Sequence, residues 1–381
     1  MCALVLLAGQ AAMAQQAADA VAPEIATEGT FEAVSDAVSR ALRAKAEGRP
    51  VDASNWMVAA ANPWAAQAGG EVLQRGGSAA DALVAVQAVL GLVEPQSSGL
   101  GGGAFLVYYD ASAGELTTLD GRETAPLAAT PRLFQDESGE PLGFFDAVVG
   151  GRSVGTPGTP ALMHAAHARW GTLPWPDLLA PAIDLAEAGF PVSPRLAGLV
   201  AGEQERLGRF EATASYFLPG GVPLQAGEML RNMPYAETLR SLANDGVRAF
   251  YTGEIAQDIV ETVRNAPGNP GVLSELDLGI YSVRERPPVC VSFRAHDVCG
   301  MGPPSSGALT VGQILGMLDA YDLSDGPADP DVRRLIGDAS RLAFADRGRY
   351  MADSDFVPVP VEGLVSPDYL RARGAALSGK T

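Results

Sequence analysis

Arg122 is the residue whose setting most needs a chemical explanation. It stands in "ELTTLDGRETAPL", residues 115–127, directly after an Asp-Gly turn and between an apolar strand and a Pro-containing loop. A planar guanidinium grips a carboxylate through two parallel hydrogen bonds, so an arginine fixed at a turn is suited to clamp the carboxylate of a small molecule. The plainer alternative is a surface charge paired with Glu123 or a nearby Asp. The residues alone leave both open.

Other reactive side chains have weaker settings. Ser305 and Ser306 lie in "PPSSG", ahead of a helical pattern, but no G-x-S-x-G elbow occurs and the nearest histidine, His296, falls in a hairpin. Helix capping within a rigid loop explains them better than nucleophilic chemistry. "SSGLGGGAF", residues 97–105, is dense in glycine, yet it lacks the Gly-Lys-Ser/Thr ending of a phosphate loop and precedes a strand instead of following one. Close backbone packing is the expected use of those glycines. His164 and His167, in "ALMHAAHARW", have no Cys or carboxylate ligand pattern around them and are expected to pack or face solvent, so no metal is expected.

Cys290 and Cys299 sit in "PPVCVSFRAHDVCGM", where alternating apolar residues flank a turn. That spacing could set the sulfurs opposite each other as a cross-strand disulfide, which would suit an oxidising compartment. Two independent buried thiols are the alternative.

The elements that must position these groups are mostly helical. "AAQAGGEVLQRGGSAADALVAVQAVLGLVEP" gives two helices broken at Gly76-Gly77, with Ser78 and Asp81 at the second start, and its many alanines imply close packing against a sheet. "GAFLVYYDASAGELTTLD" is a β-hairpin pattern. Helical zones follow at about 160–190 and 230–265, then the cysteine hairpin, then helices in "TVGQILGMLDAYDL" and "PDVRRLIGDASRLAFADRGRYM". Hairpins mixed with many helices, without a βαβ alternation, predict an α+β fold.

With 381 residues, 47% of them hydrophobic, the chain can bury a large core. A net charge of -18 without a basic run excludes a nucleic-acid surface, and no apolar stretch is long enough for a membrane span. "MCALVLLAGQAAMA", residues 1–14, resembles a secretory signal with Ala12-Met13-Ala14 as its cleavage site and Cys2 inside it, although no Lys or Arg precedes the apolar run. A periplasmic or secreted location is therefore expected. Residues 15–50 read as a poorly packed leader and 51–381 as the folded region.

Several of these segments together resemble the large subunit of the γ-glutamyltransferases, from about Met57 to about Tyr369. "GGSAADALVAVQAVLGLVEPQSSGLGGGAFLVYYD" resembles that family's N-terminal helix and Gly-rich hairpin. "LDGRETAP" resembles its ligand-binding arginine segment, and "SVGTPGTPALMHAAHARWGTLPWPDLLAPAIDLAEAGFPVS" its central helices. "MGPPSSG" and "RLAFADRGRYMADSDFV" resemble its Pro/Ser loop and its late helix with an Asp-rich turn. Five segments in family order make the resemblance specific.

The resemblance implies an N-terminal-nucleophile hydrolase with a four-layer αββα sandwich. In that family a precursor cleaves itself before a threonine, whose new α-amine activates its own hydroxyl. The threonine attacks the γ-glutamyl amide of glutathione or a similar donor and passes the acyl group to water or an acceptor amine. Arg122 would bind the α-carboxylate of the donor. The partner would be a small subunit from the same precursor, and no cofactor is called for.

The family's Thr-Thr-His-x-Ser/Thr cleavage pattern is not found here, and the threonine nearest the end is Thr381. The expectation is a large-subunit chain, inactive alone, with no catalytic residue of its own. The nucleophile, the oxyanion donors and the α-amine contacts would belong to the small subunit. Gly302 and Ala308 depart from the family's Pro/Ser loop, where Pro and Gly are more typical, and would alter its stiffness. The Asp346–Asp355 region reads equally as a structural turn or a small-subunit contact. Two rival readings stand beside the first: a cephalosporin or glutaryl acylase of the same architecture, and a non-catalytic fragment.

Overall fold

The computed structural model describes residue 31 and residues 34–378. Cys2, the signal-like segment 1–14, the first part of the 15–50 leader and Thr381 lie outside the described residues. Two compact units form: one from the residues up to Ala104 together with Arg122–Ser282, the other from Phe105–Gly121 with Val283 onward.

The first unit is helical. Part of the segment expected to be a poorly packed leader forms helix α1 (Asp36–Ala46), started by Ser35, whose hydroxyl accepts from the Val38 amide, and holding one buried residue, Ala44. The low apolar content of the stretch hid this helix, because capping and exposed helix-forming residues carry it more than burial does. Helix α2 (Pro63–Gln74) starts at Asn62, which accepts from the Trp64 amide, with proline at the first turn. Helix α3 (Ala79–Val93) starts with a reciprocal capping box between Ser78 and Asp81.

Helix α2 buries Ala65, Ala68 and Val72, and α3 buries Val84, Ala85, Ala88, Val89 and Leu92. A Cβ on Gly69 would fall 2.6 Å from a methyl of Val86, which shows how closely α2 and α3 approach. The Ala-rich pair was expected to lie against a sheet. Its apolar cluster is instead shared with helices α4 (Thr159–Trp170), α5 (Trp175–Ala188) and α6 (Met233–Asp245), through Met163, Leu178, Leu179, Ala182, Leu239 and Leu242. The alanine stripe suits helix-on-helix contact as well as sheet contact, so composition could not separate the two. Near the end of this unit a short helix, α7 (Glu275–Gly279), is capped by Ser274 and Asp277.

The first unit also has one short antiparallel pair, Phe190–Pro191 with Met229–Leu230, and the second unit holds the longer strands. β1 (Ala104–Asp110) and β2 (Glu115–Gly121) form a hairpin whose turn is set by Asp110, a carboxylate accepting from the Ser112 and Ala113 amides, and by Gly114 at φ +69°. β3 (Arg284–Arg286) adds antiparallel to β2, giving the order β1-β2-β3 with Thr118 opposite Arg286. β4 (Val289–Phe293) and β5 (His296–Gly300) make a second hairpin in which Cys290 faces Cys299. Its buried face, Val289 and Val291, packs on helix α8 (Gly307–Leu318), where Gly312 leaves the space that the Val291 side chain fills. Helix α9 (Pro330–Tyr350) buries Val332, Leu335, Ala339 and Ala343 along one stripe. The fold is α+β. No helix among the described residues is long and apolar enough to cross a membrane.

Candidate functional site

Strand β2 ends at Gly121 and delivers the chain to Arg122, whose side chain is exposed. The backbone beneath it is fixed from several directions. On one side lies the Gly-rich loop: a Cβ on Gly103 would fall 2.6 Å from the Glu123 nitrogen and 2.8 Å from the Arg122 Cα. Only glycine allows that approach, because real Cβ atoms do not come within about 3 Å of a neighbouring backbone segment. The carboxylate of Glu123 folds over the same loop, with its Oε2 2.7 Å from that imagined Cβ.

On the other side Thr124 and Thr156 exchange amide-to-carbonyl bonds of 3.3 and 2.8 Å as an isolated bridge. Gly155 lies against Thr124, where a Cβ would come 2.9 Å from its carbonyl oxygen. The start of α4 ties the two sides together, since the Gly158 and Thr159 amides both donate to the Gly102 carbonyl at 2.9 and 3.1 Å. These are amides of a helix N-terminus that lacks a side-chain cap, and the Gly loop supplies their acceptor.

Two longer-range contacts complete the frame. The Tyr281 hydroxyl donates to the Arg122 carbonyl at 2.8 Å. Further along, the Leu127 amide donates to Asp277 at 2.7 Å, so the capping residue of α7 also holds the loop that follows Arg122. The result is an exposed guanidinium on a constrained backbone. Such an arrangement can hold a carboxylate in a fixed orientation, because little backbone order has to be gained on binding.

Around this loop, buried acids do structural work. Asp81, fully buried, caps α3 and also accepts from the Thr172 amide and hydroxyl and the Leu173 amide, at 3.0, 2.8 and 3.2 Å. Burial pushes its carboxyl up, but those donors outweigh burial and hold it below the ordinary carboxylate range. His167 donates from Nε2 to the Leu173 carbonyl at 2.8 Å and packs on Trp175, as His164 does edge-on. The two histidines therefore serve the helix interface. Among the described residues no group of His, Cys, Asp and Glu has the arrangement of a metal site.

In the strand-bearing unit, Cys290 and Cys299 are joined by a disulfide across the β4–β5 hairpin, with Cys290 on its exposed face. Ser305 and Ser306 have local roles, Ser305 accepting from the Gly307 amide at 3.2 Å and Ser306 from Arg347 at 2.9 Å. His296 pairs with Phe293 at the hairpin end, and among the described residues neither Ser305 nor Ser306 is bonded to a histidine. Asp346 accepts from Gln313, Tyr369 and Arg373 at 3.1, 2.7 and 2.8 Å. Asp355 receives both prongs of Arg286 at 3.0 and 2.8 Å, and these bonds hold its carboxyl below the usual range. The Asp346–Asp355 region thus anchors its own unit. Arg122, by contrast, is exposed on a backbone held by Gly103, by the Thr124–Thr156 bridge and by Tyr281.

Residues 65–381 match the sequence model of the gamma-glutamyltranspeptidase family. The chain belongs to that family. It is 38% identical over 322 residues to the glutathione hydrolase proenzyme of Bacillus subtilis (strain 168), covering 83% of this chain and 54% of that protein. It is 35% identical over 338 residues to the acylase ACY 1 proenzyme of Pseudomonas sp. (strain V22), covering 87% of this chain and 60% of the relative. The crystal structure of Helicobacter pylori gamma-glutamyltranspeptidase superposes with a TM-score of 0.83 at 34% identity, over 87% of this chain and 95% of that one. The fold is accordingly that of the N-terminal-nucleophile hydrolases. The chain spans about half the length of the curated relatives it matches.

Several residues of the gamma-glutamyltranspeptidase frame around Arg122 were not visible in the sequence as site residues. Gly103 was legible as part of a Gly-dense loop, though not as the neighbour of Arg122. Tyr281 lies 159 residues from Arg122 and no local pattern connects them. Thr156 and Asp277 likewise meet the loop only through the tertiary fold.

Proposed function

We propose that this chain is the large-subunit part of a gamma-glutamyltransferase precursor and that Arg122 binds the α-carboxylate of a γ-glutamyl donor such as glutathione. The observation that carries the reading is the Arg122 loop, an exposed guanidinium on a backbone fixed by Gly103, Thr156 and Tyr281. The names of the relatives support the substrate class, since glutathione is a γ-glutamyl amide. A two-pronged contact to the α-carboxylate would orient the amino-acid headgroup and leave the γ-amide directed away from the clamp.

The bond-breaking step belongs to a threonine supplied by the remainder of the precursor. Freed by self-cleavage, its α-amine takes the hydroxyl proton as the oxygen attacks the γ-carbonyl, and later hands that proton to the departing amine. Water or an amino-acid amine then accepts the γ-glutamyl group. The active species is a heterodimer of two chains from one precursor. We also place the protein outside the cytoplasm, in the periplasm or secreted, a reading supported by the Cys290–Cys299 disulfide.

A second reading, a cephalosporin or glutaryl acylase, is favoured by the likeness to the acylase proenzyme. A glutaryl donor keeps the terminal carboxylate that Arg122 would grip and lacks only the α-amine, so the arginine serves either acyl group and turnover has to separate them. Expression of the full-length precursor separates the readings. Self-cleavage into two chains with release of p-nitroaniline from γ-glutamyl-p-nitroanilide supports the transferase. Turnover of a glutaryl amide alone supports the acylase, and a precursor that stays whole and inactive rejects both.

A further inference from the structure

We propose that Tyr281 is a positioning residue for the donor clamp, acting on the carbonyl of Arg122 and thereby on the direction of its side chain. The proposal rests on the reading of Arg122 as a carboxylate clamp.

The Tyr281 hydroxyl donates to the Arg122 carbonyl at 2.8 Å. That carbonyl belongs to the peptide joining Arg122 to Glu123, so its direction fixes ψ of Arg122 and φ of Glu123 together. With Gly103 packed against the Arg122 Cα, the peptide has little other freedom. Tyr281 is itself held. Its ring stacks on Tyr251, with centroids 5.7 Å apart and planes 5° apart.

Tyr251 is buried, and its hydroxyl donates to the Pro157 carbonyl at 2.9 Å while accepting from the Ala161 amide at 3.2 Å. The Ala161 amide is one of the first-turn donors of α4, which would otherwise lack a partner. The same helix start binds Gly102 through the Gly158 and Thr159 amides. A single helix N-terminus therefore sets both supports of Arg122: the glycine loop directly, and the carbonyl through the Tyr251–Tyr281 stack. A side chain that only filled space at position 281 would need neither the hydroxyl nor the parallel stack.

Tyr281→Phe keeps the ring and its stack and removes the hydroxyl, so the test is made in the assembled enzyme produced from the full-length precursor. Steady-state kinetics are measured with γ-glutamyl-p-nitroanilide and with 4-aminobutyryl-p-nitroanilide, which lacks the α-carboxylate. Arg122→Lys serves as the control, and Tyr251→Phe as the second variant should Tyr281→Phe fail to fold. The expected result is a KM for the γ-glutamyl donor raised on the order of five-fold, the size of one lost neutral hydrogen bond, with a smaller change in kcat. Preference for the γ-glutamyl donor over the 4-aminobutyryl one falls by the same factor. If Arg122→Lys raises KM and the tyrosine variant leaves both KM and the preference unchanged, the positioning role is overturned while the clamp stands. If Arg122→Lys itself leaves KM unchanged, the clamp fails and this inference falls with it.

Discussion

Gly103 sits so close to Arg122 that a Cβ on the glycine would fall 2.8 Å from the arginine Cα and 2.6 Å from the next amide nitrogen. The most glycine-dense part of the chain thus backs the segment that carries the proposed clamp. The loop needs no phosphate to explain it. It permits two backbones to touch, and the amides at the start of α4 keep it in place.

Gly103→Ala should displace the Arg122–Glu123 backbone, because the neighbouring atoms are main chain and cannot rotate away. The expected cost is about 1–3 kcal/mol of stability, typical of overpacking, seen as a lower melting temperature. In the assembled enzyme KM for a γ-glutamyl donor rises as well. A variant with unaltered stability and KM would show that the loop tolerates the shift and does not support Arg122.

Thr156 gives a prediction of the opposite sign. It is fully buried, and its hydroxyl has no hydrogen-bond partner among the described residues, while its backbone makes the bridge to Thr124. Replacing the hydroxyl by a methyl keeps the shape and removes an unsatisfied polar group, which costs about 1–3 kcal/mol when buried. Thr156→Val should therefore leave the melting temperature unchanged or raise it. A clear loss of stability would mean that the hydroxyl has a partner, such as a bound water.

Acid sensitivity is expected from Asp81. Its carboxyl is held below the ordinary value in the folded protein, so the charged form is favoured by folding. A depressed folded pKa means that this stability is fully present above the unfolded value, about 3.9, and is lost as pH falls through the folded value. Thermal melts between about pH 2 and 6 should show that loss. Asp81→Asn should flatten the acid limb and cost about 2–4 kcal/mol at neutral pH, because its amide group would face the donors of Ser78, Thr172 and Leu173. An unchanged acid limb in the variant would assign the sensitivity elsewhere.

The disulfide is checked by thiol labelling of denatured protein. Cys290 and Cys299 should remain unlabelled until a reductant is added. Replacing both by serine should lower the stability of the strand-bearing unit by about 2–3 kcal/mol, as expected for a short cross-linked loop. Full labelling without reductant would remove the main support for an exported protein.

What could be read from the sequence was local in origin. The capping box at Ser78 and Asp81, the break at Gly76-Gly77 and the two hairpins are written in residues only a few positions apart, and the structure places them there. The second use of Asp81, at Thr172, lies 91 residues away and left no trace in the pattern. The same holds for Tyr281 and Arg122. The alanine stripes of α2 and α3 do not specify a partner, because small residues permit close approach to a sheet or to a helix, and among the described residues they share a cluster with helices. Helix α1 was missed because so little of it is buried. Arg122 could be located through its segment, but the frame that gives it direction comes from three distant parts of the chain.

The measurement that bears most directly on the central claim is KM for γ-glutamyl-p-nitroanilide in the assembled enzyme, compared between the parent protein and Arg122→Lys. A lysine keeps the charge and loses the fork. Loss of a bidentate charge-assisted contact of roughly 2–4 kcal/mol predicts a KM raised by about 30-fold or more. An unchanged KM would contradict the assignment of Arg122 as the carboxylate clamp.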